Sequence, residues 1–154
     1  MIVYRLSKGN FKFDLSGKGA ELAGGRWNNK GVAVLYTSAS RALCAMEILV
    51  HVPASLLPTD YHMVSIAVPD DAPSGEILIE NLPAQWQSLP HGNKTQQLGD
   101  LFVQNRKLLL LKVPSAVVKG DFNYLINPQH PDFEKVKVVE TELFEFDSRL
   151  FKVG

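Results

Sequence analysis

Cysteine is nearly absent from this chain: Cys44 stands alone among 154 residues. No intramolecular disulfide can form, and a cysteine-based metal site would lack partners. Such usage fits a reducing, cytoplasmic setting. Cys44 lies inside an apolar run, so it reads as a small buried hydrophobe rather than a nucleophile. An excess of charge is missing too. Lys plus Arg number 16 and Asp plus Glu number 16, a balance that argues against a sequence-independent nucleic-acid binder, which needs a net basic footprint. No segment approaches the roughly 18 consecutive apolar residues of a membrane span. The opening MIVYRLSKGN has no apolar stretch of the kind a secretory signal requires. His62, His91 and His130 show no metal-ligand spacing with carboxylates or with one another, so they read as surface or turn residues and no metal is expected. Neither GxGxxG nor GxxxxGK[ST] occurs, which excludes the familiar dinucleotide and P-loop cradles. A nucleotide site here must be built another way.

What is present is an ordinary globular composition, 45% apolar and 21% charged, with no repeat and no linker-like tract. One domain over residues 1–154 is the simplest account. Residues 2–5 read as a strand. Residues 9–31 hold Gly9, Gly17, Gly19, Gly24, Gly25 and Gly31, six of the eleven glycines, and read as a long irregular segment of the kind that is usually functional. Residues 32–36 read as a buried strand. The stretch SASRALCAMEILVH is the best helix, with Ser38 or Ser40 as N-cap and Pro53 beyond its end. Strands follow at 62–68 and 76–79, a second helix at 94–105 opened by Asn93 or Thr95, and a strand at 108–113 stopped by Pro114. NYLINPQHP is turn chemistry, and residues 136–146 form a last strand. Short strands with few helices, not regularly alternating, predict an α+β fold rather than a doubly wound one.

Glu47 is the most informative residue. Positions 42 to 50 are otherwise apolar, which predicts a buried helix, and a carboxylate there is costly unless it is paired or faces a polar cavity. His51 lies one turn on, about 40° around the helix, so the two can share a polar notch or form a plain surface pair. In GGRWN, Gly24 and Gly25 let a ligand approach the backbone, Arg26 offers a planar fork for phosphate oxygens, and Asn28 adds donors and an acceptor. The same residues also suit a glycine turn with a snorkelling arginine and a core-anchoring Trp27. Arg5 and Tyr36 end strands and are ambiguous by themselves. Ser115, after Val113-Pro114, suits either a site at a strand end or a turn cap.

Together these segments resemble the RES domain, named for Arg, Glu and Ser. The resemblance runs from Tyr4-Arg5 through Gly24–Gly31, Val34–Ser38, the helix Ala42–His51 and Val113–Val117 to Asn123–Pro131. It implies a fold similar to ADP-ribosyltransferases, a split mixed or antiparallel sheet with flanking helices that grips NAD. It also implies an NAD-degrading toxin paired with an Xre-like antitoxin and plausibly homodimeric, NAD being the substrate and water or phosphate the acceptor. The residues that align with the family's NAD site are Arg5, Arg26, Tyr36, Glu47 and Ser115, with Arg26, Glu47 and Ser115 catalytic. Asn28, His51 and Asn123 sit in matching motifs. In the implied chemistry Glu47 stabilises a ribosyl cation, Arg5 and Arg26 clamp the diphosphate, Tyr36 flanks the nicotinamide, and Ser115 bonds the ribose or orients Glu47. Alternatives are ADP-ribosyl transfer to a protein, an RNA-targeting toxin, and a non-catalytic interaction module.

Overall fold

Among the described residues seven strands form one mixed sheet. The computed structural model describes residues 1–152. Strand β1 is Ile2–Lys8, β2 Leu35–Ser38, β3 Tyr61–Ala67, β4 Ser74–Glu76, β5 Leu110–Pro114, β6 Phe122–Ile126 and β7 Lys137–Leu143. Their order across the sheet is β4-β5-β6-β2-β1-β3-β7. Neighbours are antiparallel except β4 and β5, which are parallel. Helices α1 (Lys18–Ala23), α2 (Arg41–Leu49) and α3 (Asn93–Asn105) complete an α+β fold.

Side-chain alternation gives the sheet two faces. Val3, Leu35, Val64, Ile66, Leu110 and Ile126 share one core cluster. On the other face, Leu111, Val113 and Leu125 pack under Phe102 and Val103 of α3, and Leu6 and Met63 pack under Cys44 of α2. Burying each aliphatic or aromatic side chain of this kind contributes about 1.5–3 kcal/mol. Helices α2 and α3 therefore stand side by side on one face, over different strands. Between β1 and β2 the sheet is itself thin: they share the single register pair Tyr4↔Ser38, whereas β1 and β3 pair from Ile2↔Ala67 to Lys8↔Tyr61. That seam splits the sheet.

Several elements differ from the sequence reading. The segment 9–31 is not wholly irregular. Gly17, in the left-handed region at φ 73°, precedes α1, and Gly24 at φ 71° ends it while its N–H donates to Ala20 O. Glycines at both ends and Gly19 inside mask this helix. Strand β2 begins at Leu35 rather than residue 32, because Val32 belongs to a turn held by its N–H to Asn29 O. Strand β1 runs on to Lys8, and β4 lies earlier than expected, at 74–76. The first part of NYLINPQHP is strand β6, placed between β5 and β2, and the turn starts only at Asn127. Asn127 caps that turn through Gln129 N–H and donates Nδ2 to Phe102 O and Val103 O. Ser40 is the N-cap of α2, accepting from Leu43 N–H. Helix α3 starts after Gly92 with no side-chain cap, so neither Asn93 nor Thr95 opens it.

Candidate active site

Helix α2 is half-buried, not buried all round. It seals only Leu43 and Cys44 against the sheet, while Met46 and Val50 are 41% and 53% exposed. Glu47 lies four residues beyond Leu43 and three beyond Cys44, so it shares their stripe and points over the seam. Its Oε1 accepts from Asn123 Nδ2 at 2.7 Å and Ser115 Oγ at 3.0 Å. Both donors are themselves held. Ser115 Oγ accepts from Val117 N–H and Val118 N–H, and Asn123 Oδ1 accepts from Ser38 Oγ at 2.8 Å. Among the described residues Oε2 has no protein partner, and Glu47 bonds Ser115 and Asn123 rather than His51.

Two cavities meet at this carboxylate. The smaller, about 210 Å³, is walled by Tyr4, Arg5 and Leu6 of β1, Tyr36, Thr37 and Ser38 of β2, and Cys44 of α2. The larger, about 680 Å³, is bounded by Arg26 and its glycines, His51, Gln87, Leu89 and His91. Tyr36, Glu47, Ile48 and Asn123 line both. Arg5 and Arg26 are thus not neighbours; each serves one lobe. Arg5 is largely buried beside the Asp14 carbonyl, to which it donates, and burial lowers its pKa against the opposing pull of Asp14. Arg26 donates Nη1 to Trp86 O at 2.7 Å and to Ser88 O at 3.3 Å, and its guanidinium sits 6.0 Å from the Trp86 ring centroid. Burial lowers its pKa, and Glu47 and then Tyr36 oppose that.

The Tyr36 hydroxyl is turned away from chemistry. It donates to Asn28 Oδ1 at 2.7 Å and accepts from Trp27 N–H at 3.0 Å, and burial raises its pKa. The ring is left to form cavity wall. A Cβ on Gly25 would stand 2.7 Å from that hydroxyl, which accounts for a glycine there. Asn28 is wholly buried. Its Nδ2 donates to Ala20 O and Val32 O, so it stitches the loop together behind the cleft and lines neither lobe. The loop is also pinned to α3: Asn29 bonds both carboxylate oxygens of Asp100, and Gln96 Nε2 donates to Gly25 O. Cys44 is buried and its thiol is pushed up to about 12, mainly by desolvation. Among the described residues no group of three or more His, Cys, Asp or Glu could hold a metal ion.

His91 reads in the sequence as a surface or turn residue, yet it forms cleft wall. No local signal marks it, since its place depends on residues 86–91 folding back over Arg26. Asn123 was hidden inside a segment that reads as a turn. His130 is a turn residue as expected, its Nδ1 accepting from Asp132 N–H.

A carboxylate fixed at the junction of two lobes, with one arginine in each, defines a site for an elongated ligand that carries anionic and apolar parts. The RES domain family model matches residues 2–147, and the chain belongs to that family. It is 40% identical to the Prs ADP-ribosylating toxin of Sphingobium sp. (strain YBL2), over 90% of this chain and 88% of that protein. It is 37% identical to Toxin Res of Photorhabdus laumondii, covering 99% and 98% of the two chains. Among solved structures, the Mycobacterium tuberculosis MbcT–MbcA toxin–antitoxin complex contains a chain of the same fold. The match has a TM-score of 0.64 at 19% identity and covers 92% of this chain and 82% of that one.

Proposed function

We propose that this chain is the toxin of a toxin–antitoxin pair and that it consumes NAD by breaking the nicotinamide–ribose bond. The observation that carries the reading is the Glu47 carboxylate, which lines both lobes and is held through Oε1 by Ser115 and Asn123, while Oε2 has no protein partner among the described residues. The ribose is placed over Glu47. The C1–nitrogen bond breaks and its electron pair goes to the nicotinamide ring, which leaves neutral. Positive charge develops on the ribose, as in glycoside hydrolysis, and the fixed carboxylate stabilises it without reorganising. Water adds to C1 and loses a proton, giving ADP-ribose; inorganic phosphate in its place gives ADP-ribose 1-phosphate. The leaving group needs no metal.

The lobes divide the labour. The diphosphate belongs in the larger one beside Arg26. The ring end belongs in the smaller one, against Tyr36. Arg5 frames that smaller lobe rather than joining Arg26 on one diphosphate. Ser115 and Asn123 act through Glu47, and Asn28 acts by holding Tyr36 and the glycine loop. An Xre-like antitoxin that covers the cleft would silence the activity.

One observation favours a second outcome: a relative 40% identical bears the name of an ADP-ribosylating toxin. A protein nucleophile in place of water would make the reaction a transfer. The purified chain incubated with NAD, with and without phosphate and with a cell extract, separates these. Release of nicotinamide with free ADP-ribose or its 1-phosphate is the expected result. Labelling of one extract protein supports transfer, and no loss of NAD under any of these conditions contradicts the reading.

A further inference from the structure

His91 is a cleft residue with a buried polar atom that is unused. Its Nδ1 is buried and, among the described residues, has no hydrogen-bond partner. An unpaired buried nitrogen carries an uncompensated desolvation cost, and a ligand whose binding turns the ring so that Nδ1 is paired recovers that cost. The ring lies where two spaces meet. It lines the 680 Å³ lobe with Arg26 and His51, and also an adjoining cavity of about 470 Å³ with Gly24, Gly25, Asn29, Lys30 and Gln96. The charged and titratable groups around these spaces are Arg26 from the glycine loop, His51 from beyond the end of α2, Lys30 from the following turn, and Glu47 across the cleft. Three of the four are basic, and Arg26 has only Nη1 committed among the described residues. That is a setting for an anion.

We infer that His91 is a binding residue for the diphosphate of NAD, its Nδ1 donating to a phosphate oxygen beside Arg26, and that the ring takes up a proton when the dinucleotide binds. The inference rests on the NAD reading above. In the free protein, burial first, then Arg26 and His51, lower the pKa of His91, which favours the neutral ring. An anion set between these three groups offsets both repulsions and raises the pKa of the bound ring. Linkage then makes affinity rise as pH falls.

The test is steady-state NAD consumption by the full chain between pH 6 and 8, for wild type, His91→Ala and His91→Arg. Wild-type KM is expected to rise about tenfold across this range as the proton becomes harder to supply. His91→Ala should raise KM at pH 6 by about tenfold and flatten its pH dependence, with kcat within about twofold. His91→Arg carries a pH-independent cation and should keep KM low at pH 8. A KM in His91→Ala equal to wild type, with the same pH slope, or a loss confined to kcat, overturns the inference and leaves the NAD reading standing. No NAD turnover by wild type overturns both.

Discussion

At the scale of the residue, the proposed chemistry depends on how Glu47 is held. Its lone position in an apolar stretch was legible in the sequence, although for a partly mistaken reason. The helix is half-exposed, and the carboxylate is compensated by Ser115 and Asn123, which lie 68 and 76 positions away in sequence. Contacts at that separation leave no local trace. Ser115 illustrates why the choice between cap and site could not be made from sequence: its hydroxyl makes both kinds of contact, accepting from Val117 N–H and Val118 N–H while donating to Glu47. Ser115→Ala removes the donor and strands two amides. It should lower stability by about 1–3 kcal/mol and kcat by about 10- to 100-fold with little change in KM. Denaturant melts alongside steady-state kinetics check both parts, and an unchanged kcat would show that Ser115 is a cap alone. Asn28 shows the opposite limit. Its side chain reads as a ligand group, but three dimensions turn it inward as a strut.

At the scale of the element, legibility followed periodicity and failed where glycine or turn residues broke it. Helix α2, with Ser40 as its cap, and strand β3 stand close to where alternation and capping put them. Helix α1 was hidden by its glycines, and β6 by Asn-Pro at its end, because local turn chemistry cannot reveal a strand that gains its partners from β5 and β2. The loop at 24–31 depends on α3 through Gly99. A Cβ there would fall 1.6 Å from Trp27 O, a distance no side-chain rotation relieves. Gly99→Ala must push α3 away from the loop that carries Arg26. The expected cost is at the upper end for single substitutions, about 3 kcal/mol or more, together with a raised KM for NAD. A melting temperature and KM equal to wild type would contradict this packing.

At the scale of the whole molecule, no single motif was diagnostic. The order and spacing of several short ones carried the family, and the RES domain match over residues 2–147 shows it. The sheet seam, the two lobes and the gap between α2 and α3 were not legible, since each arises from how distant strands pair. The seam lies beside Glu47, and Arg5 and Arg26 line different lobes. With net charge balanced, steering of the proposed anionic dinucleotide would fall to Arg26 and the histidines of the larger lobe. None of the described helices is long and apolar enough to cross a membrane. Whether a fixed Glu47 carboxylate breaks the nicotinamide–ribose bond, as proposed, is read from the rate of nicotinamide release from NAD by wild type and by Glu47→Gln of matched circular dichroism. Turnover by wild type and a loss of at least about 100-fold in the variant are expected; turnover retained by folded Glu47→Gln would exclude the proposed role of the carboxylate.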